Sequence, residues 1–202
     1  MYRVRHGVHL VLASGSPRRR QMLADLGLTF DLAPSEVDES LLPAETAPVA
    51  AQRLARGKAQ AAARLWPDRA VLAADTLVAL ADGAILGKPA DHDQARGMLK
   101  MLSGREHWVV TGYCLVFQGV ETSAHAESRV RFRRLMEAEI EAYLASGEPM
   151  DKAGAYAVQG LAAAFVEEVH GSFSNVVGLP LARVVDLLLR AGIIEPQGVG
   201  PR

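Results

Sequence analysis

The sequence predicts an α/β fold in a single domain of 202 residues. Apolar runs typical of strands alternate along the chain with runs that have the 3.6-residue period of helices, and this alternation is typical of α/β proteins. No internal repeat, low-complexity tract or linker divides the chain. Hydrophobic residues make up 50% of it, which at this length is enough to bury a substantial core.

The first strand and the first helix are the most clearly marked elements. An apolar run at 8–13 predicts a buried strand, and Pro17 then takes the first helical position with Ser16 as the N-cap. Gly27 ends this helix after about residue 26. The same signals predict the other elements in this order: a helix at 46–65, a strand at 70–80, a turn at 82–83 with a return segment at 84–89, a helix at 93–102, strands at 107–118 and 120–132, a helix at 137–145, a strand at 163–169 and a helix at 181–191.

The composition excludes several classes of protein. A formal net charge of −1 removes the usual electrostatic driving force for binding extended nucleic acid. The single cysteine, Cys114, excludes an intramolecular disulfide and a cysteine-based metal site, and we expect it in the core. The chain has neither the apolar run of about 20 residues that spans a membrane nor the apolar segment of a signal peptide. We therefore expect a cytoplasmic protein with no nucleic acid polymer and no membrane as partner.

The turn between the first strand and the first helix predicts an anion site. Three arginines, Arg18, Arg19 and Arg20, occupy the first helical turn, where the positive end of the helix dipole repels cations by roughly 0.3–1 kcal/mol each. Exposed amides, the hydroxyls of Ser14 and Ser16 and guanidinium groups together suit a phosphate. The alternative is an ordinary strand-to-helix turn with solvated arginines.

Asp75 gives the second signal. It directly follows the apolar run 70–74, at or near the carboxyl end of a buried strand, where α/β proteins place ligands. A two-residue hairpin turn at 82–83 would set Lys88 opposite Leu77 and diagonal to Asp75, so that an ammonium and a carboxylate converge. The alternative is an ordinary cross-strand ion pair.

Two further charged features have open interpretations. Lys58 interrupts an apolar helix face formed by Leu54 and Leu65, so its ammonium either extends to solvent along that face or points into a cleft. The acidic segment 35–39, which ends in Glu39, is either a solvated loop or a set of oxygen ligands. As ligands, these carboxylates would suit Mg²⁺ or Mn²⁺ beside phosphates.

Two late segments, 151–160 and 171–180, are rich in glycine and small residues, which permit close backbone approach. Gln159 in the first could form a two-point amide contact with the edge of a base. The six histidines lack metal-ligand spacing, so a zinc site is not expected. No serine-hydrolase elbow, Walker A loop or dinucleotide fingerprint is found.

The turn at 14–19, the segments around Asp75 and Lys88, and the two late segments at 151–160 and 171–180 carry a further signal. Together they resemble the Maf family, in order and in spacing, from about residue 8 to residue 191. The family is a group of nucleoside triphosphate pyrophosphatases, which cut between the α and β phosphates. The resemblance implies one domain with a long mixed sheet flanked by helices, two lobes around a cleft as in inosine triphosphate pyrophosphatases, a short N-terminal extension and a C-terminal tail. The matching stretches are Ser14-Gly15-Ser16-Pro17-Arg18-Arg19, Ala74-Asp75-Thr76, Gly87-Lys88-Pro89, Asp151-Lys152-Ala153-Gly154-Ala155-Tyr156 with Gln159-Gly160, and Ser174-Asn175-Val176-Val177-Gly178-Leu179-Pro180.

The resemblance also implies roles for individual residues and a small-molecule partner, a nucleoside triphosphate. Asp75 matches the proton acceptor that activates the attacking water, and Glu39 and Lys88 match the other catalytic positions. Asp75 and Glu39 would hold a divalent cation, Mg²⁺, Mn²⁺ or Co²⁺. Many members are dimers, so a homodimer stays open beside the monomer. The substrate-binding positions are Ser14, Arg18, Arg19, Lys58, Thr76 and Gln159.

Arg18, Thr76 and Gln159 match the branch of the family that acts on dTTP and UTP. The branch that acts on 7-methyl-GTP usually has Asp-Gln in place of Asp75-Thr76, and a Ser-Glu-Gly stretch where this chain has 175–178. Two alternatives stay open at this point. One is a 7-methyl-GTP-type pyrophosphatase, and the other is a non-catalytic nucleotide-sensing module in division control.

Overall fold

A mixed β-sheet forms the centre of the molecule. The structure is a computed structural model that describes residues 1–34 and 37–198. The strands are β1 (Tyr2–Val4), β2 (Leu10–Ala13), β3 (Asp31–Leu32), β4 (Ala70–Ala79), β5 (Ile85–Leu86), β6 (Glu106–Phe117), β7 (Val120–Phe132), β8 (Val166–His170) and β9 (Ile194–Pro196). The helices are α1 (Pro17–Asp25), α2 (Ala47–Leu65), α3 (His92–Leu102), α4 (Glu137–Ala145), α5 (Phe173–Val177) and α6 (Leu181–Arg190), with 3₁₀ turns at Glu148–Asp151, Ala153–Ala155 and Leu161–Phe165.

The sheet combines a parallel edge with a long antiparallel part. Its strand order is β3-β2-β4-β6-β7-β8, and β5 pairs with the far end of β4. The strands β3, β2 and β4 run parallel, whereas β4, β6, β7 and β8 are antiparallel neighbours. The predicted mixed sheet flanked by helices is confirmed.

Strand β4 lies in the middle of the sheet, and its two faces belong to different parts of the core. Side chains alternate between the faces of a strand. Val71 and Ala73 accordingly join Cys114 in a cluster against α2, while Leu72 and Ala74 join the larger cluster on the opposite face. Cys114 is fully buried, as the sequence predicted, and burial raises the pKa of its thiol to about 12.

Helix α2 lies unusually close to the sheet at Gly112 of β6. A Cβ atom at Gly112 would come within 2.2 Å of the carbonyl oxygen of Ala51, so only glycine allows this approach. Gly112 is the β6 partner of Asp75 in β4. The close approach therefore brings the next turns of α2, which carry Lys58, over the strand that carries Asp75.

A gap in the sheet exposes one edge of β4. Strand β2 ends at Ala13, which pairs with Ala73, and β5 pairs with β4 only from Val78. In the described ranges no strand covers positions 74–77 on this side, although β6 covers them on the other. Asp75 and Thr76 lie in this gap, beyond the carboxyl end of β2.

The chain ends form a separate ribbon. Strand β1 pairs antiparallel with β9, with Tyr2 opposite Pro196 and Val4 opposite Ile194. No role is predicted from the sequence for the N-terminal extension at residues 1–7, and in the structure its strand β1 pairs with β9 near the C-terminus. The remaining tail residues, 199–202, lie outside the described part of the chain.

Two predicted elements were wrong. The return segment after β4 does not follow a two-residue turn: Val78 faces Leu86, and the loop 81–83 has three residues with Gly83 at a φ of 89°. This shifts the return segment by one position, so Lys88 is not in register with Leu77. The strand predicted at 163–169 begins only at Val166, because the residues before it form a 3₁₀ turn.

Candidate functional site

A cavity of about 430 Å³ opens at the gap in the sheet edge, within the size range of small-molecule sites. Its walls come from the β2–α1 turn, the gap in β4, the segment 151–159 and the end of α5. The structure brings together in it every site residue named from the sequence: Ser14, Arg18, Arg19, Glu39, Lys58, Asp75, Thr76, Lys88 and Gln159.

The N-terminus of α1 forms one wall of the cavity. Ser16 caps the helix by accepting a hydrogen bond from the backbone N–H of Arg19, and Pro17 occupies the first turn. The first turn contains no acidic residue, so nothing in the helix itself neutralises the positive end of its dipole. Backbone amides and two arginine side chains therefore meet at one concave surface.

Arg19 is buried, and a fork of three hydrogen bonds fixes its guanidinium. Nε donates to the carbonyl of Gly178 at 2.8 Å, one terminal nitrogen donates to Ser14 Oγ at 3.0 Å and the other to Thr76 Oγ1 at 2.9 Å. Thr76 Oγ1 also lies 2.9 Å from Thr111 Oγ1. Thr76 thus points to the face of β4 opposite to Asp75 and supports Arg19.

The buried guanidinium has no carboxylate ion-pair partner in residues 1–34 and 37–198. Burial lowers the pKa of Arg19, and repulsion from Arg18 adds to this effect, while Asp75 and Glu39 partly oppose it. A buried cation whose hydrogen-bond acceptors are all neutral is electrostatically unsatisfied. An anionic group in the cavity would stabilise it.

On the α2 side of β4, two carboxylates share one ammonium. Lys58 Nζ lies 2.5 Å from Asp75 Oδ1 and 2.5 Å from Glu39 Oε1. Lys58 and Asp75 are both buried, so the orientation of Lys58 toward a cleft, one of the two open interpretations, is confirmed. Lys88 Nζ contacts Glu39 Oε2 at 3.5 Å rather than Asp75. The predicted hairpin register was wrong, and Lys58 rather than Lys88 pairs with Asp75, although Lys88 and Asp75 line the same cavity.

The electrostatics of Glu39 follow from these contacts. Partial burial disfavours its charged form, but the hydrogen bond and attraction from Lys58, together with Lys88, outweigh that effect and lower the pKa of the carboxyl. Glu39 is therefore ionised at neutral pH and available to a cation. Ser35 and Glu36, in the same predicted acidic segment, lie outside the described residues.

Asp75 and Glu39 form a small oxygen donor set. Among the described residues, no group of three or more histidine, cysteine, aspartate or glutamate side chains is arranged to hold a metal. Two carboxylates nevertheless suit Mg²⁺ or Mn²⁺, which are commonly held by one or two carboxylates with waters and substrate phosphates. The ammonium of Lys58 between the two carboxylates shows that this position accommodates positive charge.

Sequence reasoning missed the buried network behind Thr76. Thr111 donates to the carbonyl of Asn175 at 3.1 Å, and Asn175 Nδ2 donates to Val109 O at 2.9 Å and to Ser128 Oγ at 3.0 Å. These side chains come from β6, β7 and α5, which are far apart in the sequence. The one available signal was a set of polar residues within otherwise apolar runs.

Among the described residues, no helix has both the length and the apolar character needed to cross a lipid bilayer.

Comparison with known proteins gives consistent matches over almost the whole chain. The family model for Maf-like proteins matches residues 9–191. The dTTP/UTP pyrophosphatase of Anaeromyxobacter dehalogenans (strain 2CP-C) is 52% identical over 191 residues, which cover 93% of this chain and 96% of that protein. The dTTP/UTP pyrophosphatase of Hahella chejuensis (strain KCTC 2396) is 53% identical over 188 residues, covering 91% and 92%. That of Pelotomaculum thermopropionicum is 50% identical over 189 residues, covering 91% and 96%.

Proposed function

The chain belongs to the Maf family, and from this premise we propose that it hydrolyses dTTP and UTP to the monophosphate and pyrophosphate. The observation that carries the proposal is the cavity itself, which five cationic side chains and a helix N-terminus line together with the buried carboxylate of Asp75. The near-complete coverage of relatives named dTTP/UTP pyrophosphatase supports the choice of substrate.

Arg18, Arg19 and Ser14 bind the triphosphate in this proposal. A triphosphate carries several negative charges. When the α–β bond breaks, further negative charge develops on the oxygen that bridged the two phosphates and leaves with pyrophosphate. Cations and amides that are already oriented stabilise that charge without reorganisation. The three hydrogen bonds that hold Arg19 provide this fixed orientation.

Asp75 takes the proton of the attacking water. The water oxygen bonds to the α-phosphorus atom, and one of its protons passes to an Asp75 carboxylate oxygen. The α–β phosphoanhydride bond breaks at the same time, and its electron pair leaves with pyrophosphate. The carboxylate is suited to this task because Lys58 holds it in place through Oδ1. No covalent intermediate is required.

Asp75 and Glu39 would hold the divalent cation, Mg²⁺, Mn²⁺ or Co²⁺. Such a cation would neutralise phosphate charge and stabilise the departing pyrophosphate. Lys58, which contacts both carboxylates, offsets part of their negative charge in its absence. Lys88, paired with Glu39, adds positive charge at the same edge of the cavity.

Base selection is assigned to Gln159, Arg18 and Thr76. Gln159 is exposed at the cavity wall, where its amide can meet the edge of a pyrimidine. Thr76 is already hydrogen-bonded to Arg19 and near Thr111, so it contributes by fixing Arg19 rather than by reaching the base.

The test is pyrophosphate release from dTTP, UTP, CTP and 7-methyl-GTP, each with Mg²⁺, Mn²⁺ or Co²⁺. The proposal expects the highest kcat/KM for dTTP and UTP. Preference for 7-methyl-GTP would keep the chemistry and reject the specificity. Binding without turnover of any triphosphate would favour the nucleotide-sensing module. A cytoplasmic location and a homodimer stay predictions, for cell fractionation and light scattering to check.

A further inference from the structure

The carboxylate of Glu148 lies behind the cavity wall and is not among the residues that face the substrate. It follows α4, at the start of the 3₁₀ turn Glu148–Asp151, and its side chain is half-buried. Oε1 accepts a hydrogen bond from the hydroxyl of Tyr143 at 2.8 Å, and Oε2 accepts one from the backbone N–H of Leu161 at 3.1 Å. The carboxylate thus joins Tyr143 of α4 to the loop 157–161.

Tyr143 contacts the same loop at a second point, and we refer to Glu148 and Tyr143 together as the clamp. Its hydroxyl accepts a hydrogen bond from the backbone N–H of Ala157 at 3.2 Å while donating to Glu148, and its ring is buried against Phe165. Burial, together with the hydrogen bond to Glu148, raises the pKa of the Tyr143 hydroxyl, so it stays a proton donor. The clamp holds Ala157 and Leu161, the positions two residues before and two residues after Gln159.

The loop between these two points lies directly on the carboxylate. A Cβ atom at Gly160 would come within 2.2 Å of Glu148 Oε2, so no side chain separates the loop from Glu148. The Gly160 N–H closes a turn onto the carbonyl of Ala157 at 3.0 Å. Gln159 at the tip of this turn is exposed at the cavity.

We propose that Glu148 and Tyr143 are positioning residues for base recognition, which fix the loop 157–161 so that the Gln159 amide meets the 4-keto edge of uracil or thymine. This inference rests on the proposed function and on the role of Gln159 within it. An amide can discriminate a 4-keto from a 4-amino pyrimidine only if its position is held, because a mobile amide adapts to either edge. A charged acceptor with two donors is a strong means of holding it.

The experiment compares Glu148→Gln and Tyr143→Phe with the wild type. Calorimetry with the α,β-imido analogues of dUTP and dCTP in Mg²⁺ gives the ratio of the two dissociation constants, and steady-state kinetics gives the same ratio for kcat/KM of UTP and CTP. Glu148→Gln removes one donor–acceptor pair of the clamp, because the amide nitrogen cannot accept, whereas Tyr143→Phe removes two, those of the hydroxyl with Glu148 and with the Ala157 N–H. We expect the preference for the 4-keto base to fall about five- to tenfold, mainly through KM. Amide hydrogen exchange at Ala157 and Leu161 should become faster.

Two controls separate positioning from general stability. Glu139→Gln weakens another helix-end carboxylate, which accepts from the Met136 N–H and from Arg133, and should change the melting temperature without changing the base preference. In a Gln159→Ala background, Glu148→Gln should reduce the preference no further, because the clamp acts through Gln159.

Three results would overturn the inference. An unchanged base preference in both clamp variants is one, and an equal loss of affinity for both analogues is the second, since that indicates general support of the loop. A wild type that binds both analogues equally is the third. A wild type that prefers the 4-keto analogue but does not hydrolyse UTP would overturn the proposed function alone.

Discussion

Asp75 is a residue of β4 and points to its α2 face, whereas Arg19 belongs to α1 and lies against the opposite face of the same strand. Lys58 holds the carboxylate on the α2 face, and Thr76 holds the guanidinium on the other. The alternation of side chains along β4 thus places the proton acceptor and the buried guanidinium of Arg19 on opposite sides of the strand. Attraction from Asp75 still opposes the fall in the pKa of Arg19. A cavity at the edge of the strand, rather than on one face, lets both groups reach one ligand.

Asp75→Asn should abolish most turnover and keep substrate binding. The amide cannot accept a proton from water, and loss of a general base costs about 10²–10⁴-fold in kcat. Lys58 keeps Glu39 as a partner, so the cationic surface for the triphosphate persists. Pyrophosphate release and calorimetry with the dUTP analogue measure the two effects. Near-normal turnover would reject Asp75 as the proton acceptor, and Asp186→Asn on the surface of α6 serves as the control.

Thr76→Val should destabilise Arg19 without changing the shape of the strand. The substitution removes the acceptor for one terminal nitrogen of the buried guanidinium, and an unsatisfied buried donor costs about 1–3 kcal/mol. We expect lower stability in urea together with a higher KM for UTP. Thr122→Val, an exposed position of β7, is the matched control and should change neither quantity. Equal behaviour of the two variants would mean that Thr76 does not support Arg19.

At the scale of elements, caps and periodicity predicted most of the fold. The bounds of β7 and α4 agree with the predicted ranges, and α1 begins at Pro17 after its Ser16 cap. The predicted length of the turn after β4 was wrong because an aspartate–glycine dipeptide occurs in two kinds of hairpin. One kind has a two-residue loop, and the other has three residues with glycine last in the left-handed region, as at Gly83. Local sequence does not distinguish them.

The candidate site was predictable residue by residue, but its pairing was not. The contact between Lys58 and Asp75 depends on how closely α2 approaches β6 at Gly112, which is a property of tertiary packing. The polar network of Thr111 and Asn175 likewise joins elements that have no local relation in the sequence. Spacing indicates which side chains share an element face, and only the packed elements decide which side chains meet.

Two glycine substitutions test the packing of α2. Gly112→Ala would force a methyl group against the backbone of Ala51 and should destabilise the protein by about 3 kcal/mol or more. Gly57→Ala, within α2 itself, meets no atom within 4 Å and should stabilise the helix by up to about 1 kcal/mol. Urea unfolding gives both values. Similar effects of the two variants would contradict the close approach at Gly112.

At the scale of the whole molecule, one buried histidine couples stability to pH. His107 is fully buried, and its Nε2 lies 2.9 Å from the hydroxyl of Tyr156. Its Nδ1 has no hydrogen-bond partner among the described residues. Burial lowers the pKa of His107 from 6.5 to about 4. Between these pH values the unfolded chain binds a proton that the folded protein does not, so stability falls as the pH falls.

The wild type should therefore lose about 2 kcal/mol of unfolding free energy between pH 7 and pH 5 through this residue. His107→Phe removes the titrating group, and its stability should depend much less on pH over the same interval, whatever its absolute value. Urea unfolding at several pH values gives the slope for each protein. Carboxylates with lowered pKa, such as Glu39, contribute mainly below that interval. Parallel slopes for the two proteins would show that His107 is not the source.

The pairing of β1 with β9 brings the two ends of the described chain next to each other. The Gln197 N–H donates to the carbonyl of Met1 at 3.0 Å, next to the pair of Tyr2 and Pro196. A short peptide across this point would connect residues that are already neighbours. In such a circular permutant, new chain ends could be placed at another surface turn, such as 118–119, and the native contacts elsewhere would be the same. The order in which the elements follow one another along the chain is therefore separable from their arrangement in space.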